Sequence, residues 1–459
     1  MDKKEDPRNG DHVTKKPKLA HSSISDPEFL LRTEFSHHEP DMARINNGSF
    51  GCCPESVIKA QRSWQFRFLQ QPDHFYFSTL RPSLANSRAL VKSLINAAEL
   101  DEVSLVDNAT TAAAIVLQQV GRRLPHQHQN DTVIMFHCAF PAIKKSIQAY
   151  VTRAGASVIE VRLPFPVNSD SEIIDEFRKG LSKAKSSGGK VRLAIIDHIT
   201  SMPSVLIPIR ELVQVCREQG VDQVFVDAAH AIGSVPVDVQ AIGADFYVSN
   251  LYKWFFAPPS VAFLYCRKSS LSSSEMHHPV VSHEYGNGLP IESSWIGTRD
   301  YSQQLVIPAV MDFVKGEGGI EGIMAWNHEQ VVKMGKMLTE SWGTTLGSPP
   351  EMCASMIMVG LPSKLCVTSD EDAFTLRTHL REKYKVEVPI YYRPPREDDG
   401  ENENENGNDN EPRDKDGLIT GYTRISHQIY NKVEDYYKFR DAINRIVEDR
   451  QVCKMLSTE

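Results

Sequence analysis

The chain reads as an α/β protein. A large domain has a mainly parallel sheet sandwiched by helices, and a smaller α+β C-terminal domain follows. Three observations carry that reading. Between residues 103 and 265, short apolar runs alternate with amphipathic stretches, the pattern of strands joined by crossover helices. The runs at 191–196 and 223–226 read as strands, the second of them buried. After about residue 305 the pattern changes to long helices and then strands.

Composition bounds what such a protein does. With 459 residues, 41% hydrophobic and 24% charged, the chain can bury a large core in one or two domains. A net charge of -8 argues against a nucleic-acid partner held by the overall field. No apolar run approaches the ~20 residues of a membrane helix, and the polar N-terminus does not read as a signal peptide. The eight cysteines are scattered without a CxxC pair. Neighbouring Cys52 and Cys53 suit neither a zinc ribbon nor a disulfide framework, so free thiols and no metal are expected.

Taken in order, residues 1–26 read as a disordered polar tail. Its Lys15, Lys16, Pro17 and Lys18 are either a solubilising cluster or a nuclear import signal, which leaves cytoplasm and nucleus both open. Residues 27–75 form an N-terminal segment. It holds a turn at Asn46, Asn47 and Gly48 and a helix running to Leu69, and Phe75 opens a packing cluster with Tyr76 and Phe77. The large domain spans 76–305. Arg81 is either an ion-pair partner or a site residue. A helix covers 84–97 and a strand 103–106. Residues 107–111 then open an Ala-rich helix, whose free N–H groups suit a phosphate, or whose Asn108 or Thr110 is an N-cap. Strand 132–136 ends at His137, Cys138 and Phe140. A helix covers about 171–186, strand 191–196 leads into Thr200 and Ser201, and a helix covers 208–220. The small domain, 306–459, carries an acidic Asn/Glu-rich insertion at 396–417, read as a disordered loop.

The stretch 223–254 organises the rest. Asp227 follows one strand and His230 lies three residues on. Lys253 follows the next strand, 26 positions after Asp227. A carboxylate and a lysine leaving adjacent strand ends converge on the crevice where α/β sheets bind ligands. An amine for an imine bond and an anion facing a ring nitrogen are what pyridoxal 5'-phosphate requires.

From about residue 46 to 431 the chain resembles fold-type-I pyridoxal-phosphate enzymes. The similarity is to the class V aminotransferase group, which holds cysteine desulfurases and isopenicillin N epimerase. The resemblance implies that Lys253 is the cofactor lysine, Asp227 the ring-nitrogen partner, and His230 the residue beside the ring hydroxyl. It implies phosphate ligands at Ala109, Thr110, Thr111, Ser249, Asn250 and Tyr252, the last replacing a usual histidine. His137 would stack on the ring, with Cys138 and Phe140 as rivals. Ser201, with Thr200, replaces the asparagine pair of desulfurases near the ring hydroxyl. Asn47 and Arg424 would meet the substrate carboxylate. Thr298, in Ser-Ser-Trp-Ile-Gly-Thr-Arg-Asp, would reach the phosphate of a second subunit, making the active unit a homodimer.

The chemistry implied begins with loss of the substrate α-proton to Lys253. For L-cysteine, expulsion of the β-substituent then yields hydrogen sulfide, pyruvate and ammonia. A desulfurase needs a mobile cysteine upstream of its carboxylate-binding arginine. None occurs between Cys366 and Arg424, which favours a lyase. An aminotransferase or epimerase would share every cofactor residue and stays open. So do the preference for L- or D-cysteine and a non-enzymatic, nuclear interaction protein.

Overall fold

The computed structural model describes residues 24–123, 131–186, 188–268, 276–395 and 411–456. The basic cluster at residues 15–18 and residues 396–410 of the acidic insertion lie outside them. Among the described residues no helix is long and apolar enough to cross a membrane.

Seven strands form the main sheet: β1 (Val103–Val106), β2 (Thr132–Phe136), β3 (Ser157–Val161), β4 (Val191–Asp197), β5 (Gln223–Asp227), β6 (Phe246–Asn250) and β7 (Ala262–Cys266). Their order is β1-β7-β6-β5-β4-β2-β3. Strands β2 to β6 pair in parallel, and β7 runs antiparallel to both β6 and β1. The expected mainly parallel sheet is therefore present, with one reversed strand.

Period-two alternation builds two cores. Ile134, Phe136, Ala194, Ile196, Val224 and Val226 share one buried cluster with helices Asp170–Ser186 and Ile209–Glu218. Val133, Met135, Leu193, Ile195 and Phe225 fill the other face against helices Ala109–Arg123 and Pro141–Tyr150. Successive strand residues point to opposite faces. A strand covered on both faces must therefore be apolar throughout, and β2 is buried at every position. Edge strand β3 is half-exposed, with only Val161 buried. It and the helix before it escape a reading based on apolar runs.

A second sheet follows. Strand β8 (Met356–Gly360) and strand β9 (Ile390–Tyr392) flank β10 (Gly421–Ser426), all antiparallel. Helices Gly319–Trp342, Asp370–Tyr384 and Val433–Glu448 cover it through Met334, Leu338, Leu376, Leu380, Phe439 and Ile443. Ala43 and Arg44 pair in parallel with Val386 and Glu387, so the N-terminal segment is tied to this part of the chain. Phe75 is buried, whereas Phe77 is 86% exposed. Arg81 forms an ion pair with Glu284.

Residues 411–417 depart from the expected disordered loop. Asp414 accepts hydrogen bonds from Ser363 N at 2.7 Å, Ser363 Oγ at 2.6 Å, Asp416 N at 2.8 Å and Gly417 N at 2.9 Å. Those donors hold its carboxyl below the usual range despite the opposing effect of burial. One carboxylate thus ends the insertion as a fixed turn. Asp414→Ala removes these bonds, at about 1–3 kcal/mol. The expected result is faster limited proteolysis within 411–418 and a lower urea midpoint.

Candidate active site

The site is built where β4, β5 and β6 end. Asp197 and Asp227 are in register on adjacent parallel strands, so their side chains share a face. Asn250 ends β6, and the single-turn helix Leu251–Trp254 carries Lys253. Lys253 Nζ lies 3.2 Å from His230 Nε2. The intervening loop sits on that helix. Asp227 Oδ1 accepts from Ala229 N at 3.1 Å. Ser249 Oγ accepts from Ile232 N at 3.1 Å and donates to Ala228 O at 2.5 Å. Gly233, at φ +80°, approaches so closely that a Cβ there would lie 2.5 Å from Trp254 O. Gly51, at φ +66°, packs from the N-terminal segment, where a Cβ would lie 1.9 Å from Tyr252 O.

Burial sets the electrostatics. It pushes the Lys253 amine down to about 8, against the opposing pull of Asp227. It raises the Asp227 carboxyl, while the Ala229 N–H and Lys253 oppose it. Asp197 is raised further, first by burial and then by the Asp227 charge. His230 is held neutral by burial and by the nearby Lys253 and Arg424 cations.

Arg424 comes from the small sheet. It is buried in the central strand β10. Its Nη1 donates to Ser201 O at 2.9 Å and Ser201 Oγ at 3.3 Å, and its Nη2 to Asn46 Oδ1 at 2.9 Å and Ser49 Oγ at 3.0 Å. Its Nε has no partner. Among the described residues no carboxylate forms a salt bridge with it. Burial and Arg377 lower its pKa to about 10. A buried guanidinium held only by neutral oxygens is a receptor for an anion.

Lys253, Asp227, His230 and Arg424 are thus brought together, and five other candidate residues are engaged with protein partners of their own. Asn47 does not face the arginine. It donates to Asn431 Oδ1 at 2.7 Å and to Ser426 Oγ, and accepts from Tyr430 OH at 2.9 Å. Its neighbour Asn46 serves Arg424 instead. Ser201 likewise anchors Arg424. Thr200 is consumed by its own loop, accepting from Val205 N and donating to Pro203 O. Ser249 spends its hydroxyl proton on Ala228 O, so it shapes the loop after Asp227. His137 turns aside. Its Nδ1 accepts from Leu163 N at 3.1 Å, and its charged neighbours are Lys144, Arg162 and Glu160. Cys138 is the one of the three that feels Asp197, and Phe140 is exposed at the start of the next helix.

At the helix beginning with Ala109, Asn108 is the N-cap, its Oδ1 accepting from Thr111 N at 2.9 Å and Thr111 Oγ1 at 3.3 Å. Asn250 Oδ1 accepts from Ala109 N at 2.9 Å. Thr110 is exposed. Tyr252 is half-buried, raised by burial and then by the Asp227 charge. Thr298 is exposed on a turn, which Arg299 fixes by an ion pair to Asp107.

Asp197, Asn46 and Ser49 were missed as site residues. Asp197 stands at the end of an apolar run as Asp227 does, and that position was the available signal. Both carboxyls lie above the ordinary carboxylate range, so the folded chain keeps protons that the unfolded chain has lost. That contribution to stability is fully present below about pH 3.9 and falls as pH rises through the raised folded values. Asp197→Asn should flatten this decline and raise Tm of the cofactor-free protein at pH 7, as thermal denaturation across pH would show. Parallel pH profiles for parent and variant would contradict it.

Pyridoxal 5'-phosphate fits these residues. The amine of half-buried Lys253 is pushed down to about 8, an anion-forming group faces it, and the buried atoms His230 Nδ1, Asp197 Oδ2 and Arg424 Nε have no partner. Comparison with known proteins agrees. The class V aminotransferase family model matches residues 73–374. An L-cysteine desulfhydrase of Arabidopsis thaliana is 62% identical, covering 98% of each chain. A putative L-cysteine desulfhydrase of rice, Oryza sativa subsp. japonica, is 60% identical over 91% of this chain and 86% of its own. A cysteine desulfurase from Thermococcus onnurineus shares the fold, with a TM-score of 0.66 at 16% identity, covering 93% of this chain and 99% of that one. With its half-buried lysine and strand-end carboxylates accounted for, the chain belongs to the class V aminotransferase family of pyridoxal-phosphate enzymes.

Proposed function

We propose that this chain is a lyase that eliminates hydrogen sulfide from L-cysteine, with pyruvate and ammonia as the final products. One observation carries the reading. Arg424 is buried without an acidic partner beside an amine pushed down to about 8, a receptor for the carboxylate of an amino acid next to a base for its α-proton. The 62% identity to a protein named L-cysteine desulfhydrase supplies the substrate.

The cofactor, when bound, supplies an electron sink for the substrate α-carbon. The chain's residues do the rest. Lys253 would hold the cofactor and Asp227 would face its ring nitrogen. At pH 7 roughly a tenth of an amine poised near 8 is unprotonated, against well under a thousandth for an ordinary lysine. Lys253 Nζ is therefore able to accept the α-proton and to hand a proton on to the leaving sulfur. Arg424, preset by Ser201, Asn46 and Ser49, orients the carboxylate so that the α-hydrogen faces the amine.

The thiols support elimination over sulfur transfer. A transfer enzyme needs a thiolate that can reach the substrate. Burial pushes Cys353 up to about 12 and raises Cys138 still further. Cys353 Sγ is also engaged with Pro350 O at 3.0 Å. Cys366 is exposed, in the electrostatic neighbourhood of Cys453.

The proposal includes a homodimer with shared sites. Thr298 is exposed on its turn, and Phe77, Val281 and Tyr285 are exposed on the segments joined by the Arg81–Glu284 pair.

Purified protein given L-cysteine should release sulfide and pyruvate in equal yield. Exchange of amino acid for keto acid, or accumulation of D-cysteine, would refute elimination. Lys253→Ala should lower the rate by at least ~10³-fold, and borohydride treatment of the loaded enzyme should label the peptide bearing Lys253. Arg424→Lys should lower kcat/KM by about 10–100-fold, mostly through KM, because a bidentate partner is lost. Mixing inactive Lys253→Ala chains with impaired Thr298→Ala chains should restore activity, since one of the two sites in a mixed dimer is intact. A monomer in sedimentation, or no restoration, would contradict the shared site.

A further inference from the structure

Outside the site, three side chains with metal-binding atoms converge on one point. His37 Nε2 lies 3.3 Å and His38 Nε2 3.1 Å from Cys52 Sγ. All three donor atoms fall within 4.8 Å of one another. In a tetrahedral centre with metal–nitrogen bonds of ~2.0 Å and a metal–sulfur bond of ~2.3 Å, nitrogen and sulfur stand roughly 3.5 Å apart. Both nitrogen–sulfur distances are thus already within a few tenths of an ångström of that value.

The scaffold holds them there. A turn closed by His38 N to Phe35 O at 3.0 Å presents both histidines. The two rings stand at 87°, with centroids 5.3 Å apart. His38 packs edge-on against Tyr430 at 4.9 Å and lies 5.4 Å from Phe35. Glu34 ties this turn to the other strand of the site, accepting from Ser56 N through its side chain and from Glu55 N through its backbone. Cys52 is fixed by Gly51, which packs on the backbone of Tyr252 and Lys253.

We propose that His37, His38 and Cys52 form a binding site for one zinc-class divalent ion per chain. Two imidazole nitrogens and one sulfur are a borderline-soft donor set. It suits zinc and its neighbours and not calcium or magnesium, which require oxygen. On binding, the thiol proton leaves to solvent and a metal–sulfur bond forms. His37 is exposed, which leaves the fourth position open to water. The ion would clamp the N-terminal turn to the segment packed on the lysine helix. The histidines lie 15 and 14 positions before the cysteine, a spacing outside the usual zinc patterns.

Cobalt(II) is the probe, titrated into the cofactor-loaded full chain without substrate and with a thiol-free reductant. The expected result is about one cobalt per chain with the intense visible bands of a tetrahedral thiolate centre. Those bands should be lost in Cys52→Ser, weakened at least tenfold in affinity in His38→Ala, and retained in Cys53→Ser. Zinc should raise Tm of the parent and of Cys53→Ser but not of Cys52→Ser. No saturable band in the parent, or bands that persist in Cys52→Ser, would overturn the proposal. Equal far-ultraviolet dichroism of parent and variants excludes misfolding as the cause.

Discussion

Much of this structure depends on holding one poorly hydrated amine beside two buried carboxyls. Lys253, Asp227 and Asp197 stand at the ends of neighbouring elements in a parallel sheet, with both carboxyls buried and the lysine half-buried. Removing water lowers the amine and raises the acids, so charge in this cluster is expensive until a partner arrives. A cofactor with a protonated ring nitrogen and an electrophilic carbon is such a partner. The loop from Ala228 to Gly233 and the helix of Lys253 are packed against each other, so the amine is held by backbone contacts and not only by its own side chain.

The second sheet answers the first with a cation. Arg424 crosses from β10 to Ser201, on the loop after β4, and to Asn46 and Ser49 near the N-terminus. Four neutral acceptors orient the guanidinium without neutralising it. The same N-terminal segment is locked into place by Asn47, whose amide bridges Ser426, Asn431 and Tyr430. Adjacent asparagines thus divide two tasks. One fixes the segment to the small sheet and the other presents an oxygen to the arginine.

Differences between expectation and structure follow from where hydrogen-bond donors are spent. A buried hydroxyl or amide must satisfy its nearest backbone groups before it can serve a ligand. Ser249 and Thr200 are spent in this way on their own loops. Asn250 reaches the helix start expected to hold a phosphate, but through the N–H of Ala109. His137 leaves a strand end at the proper place, and its ring is drawn toward the backbone of Leu163. Residue type and position at a strand end do not reveal such local competition.

By itself the sequence determined the alternation of elements, the mainly parallel sheet, and the pairing of Asp227 with Lys253. Each of these follows from short-range rules: apolar periodicity, and the fact that a residue following a parallel strand emerges at the sheet's carboxyl edge. It also marked Arg424, through the pieces of motif around it. Only tertiary structure decided that Asp197 joins Asp227, that Asn46 and not Asn47 meets the arginine, and that His37, His38 and Cys52 converge. These are contacts between segments distant in the chain or choices between adjacent residues. Their outcome is set by packing and by competition for hydrogen bonds, which no local pattern encodes.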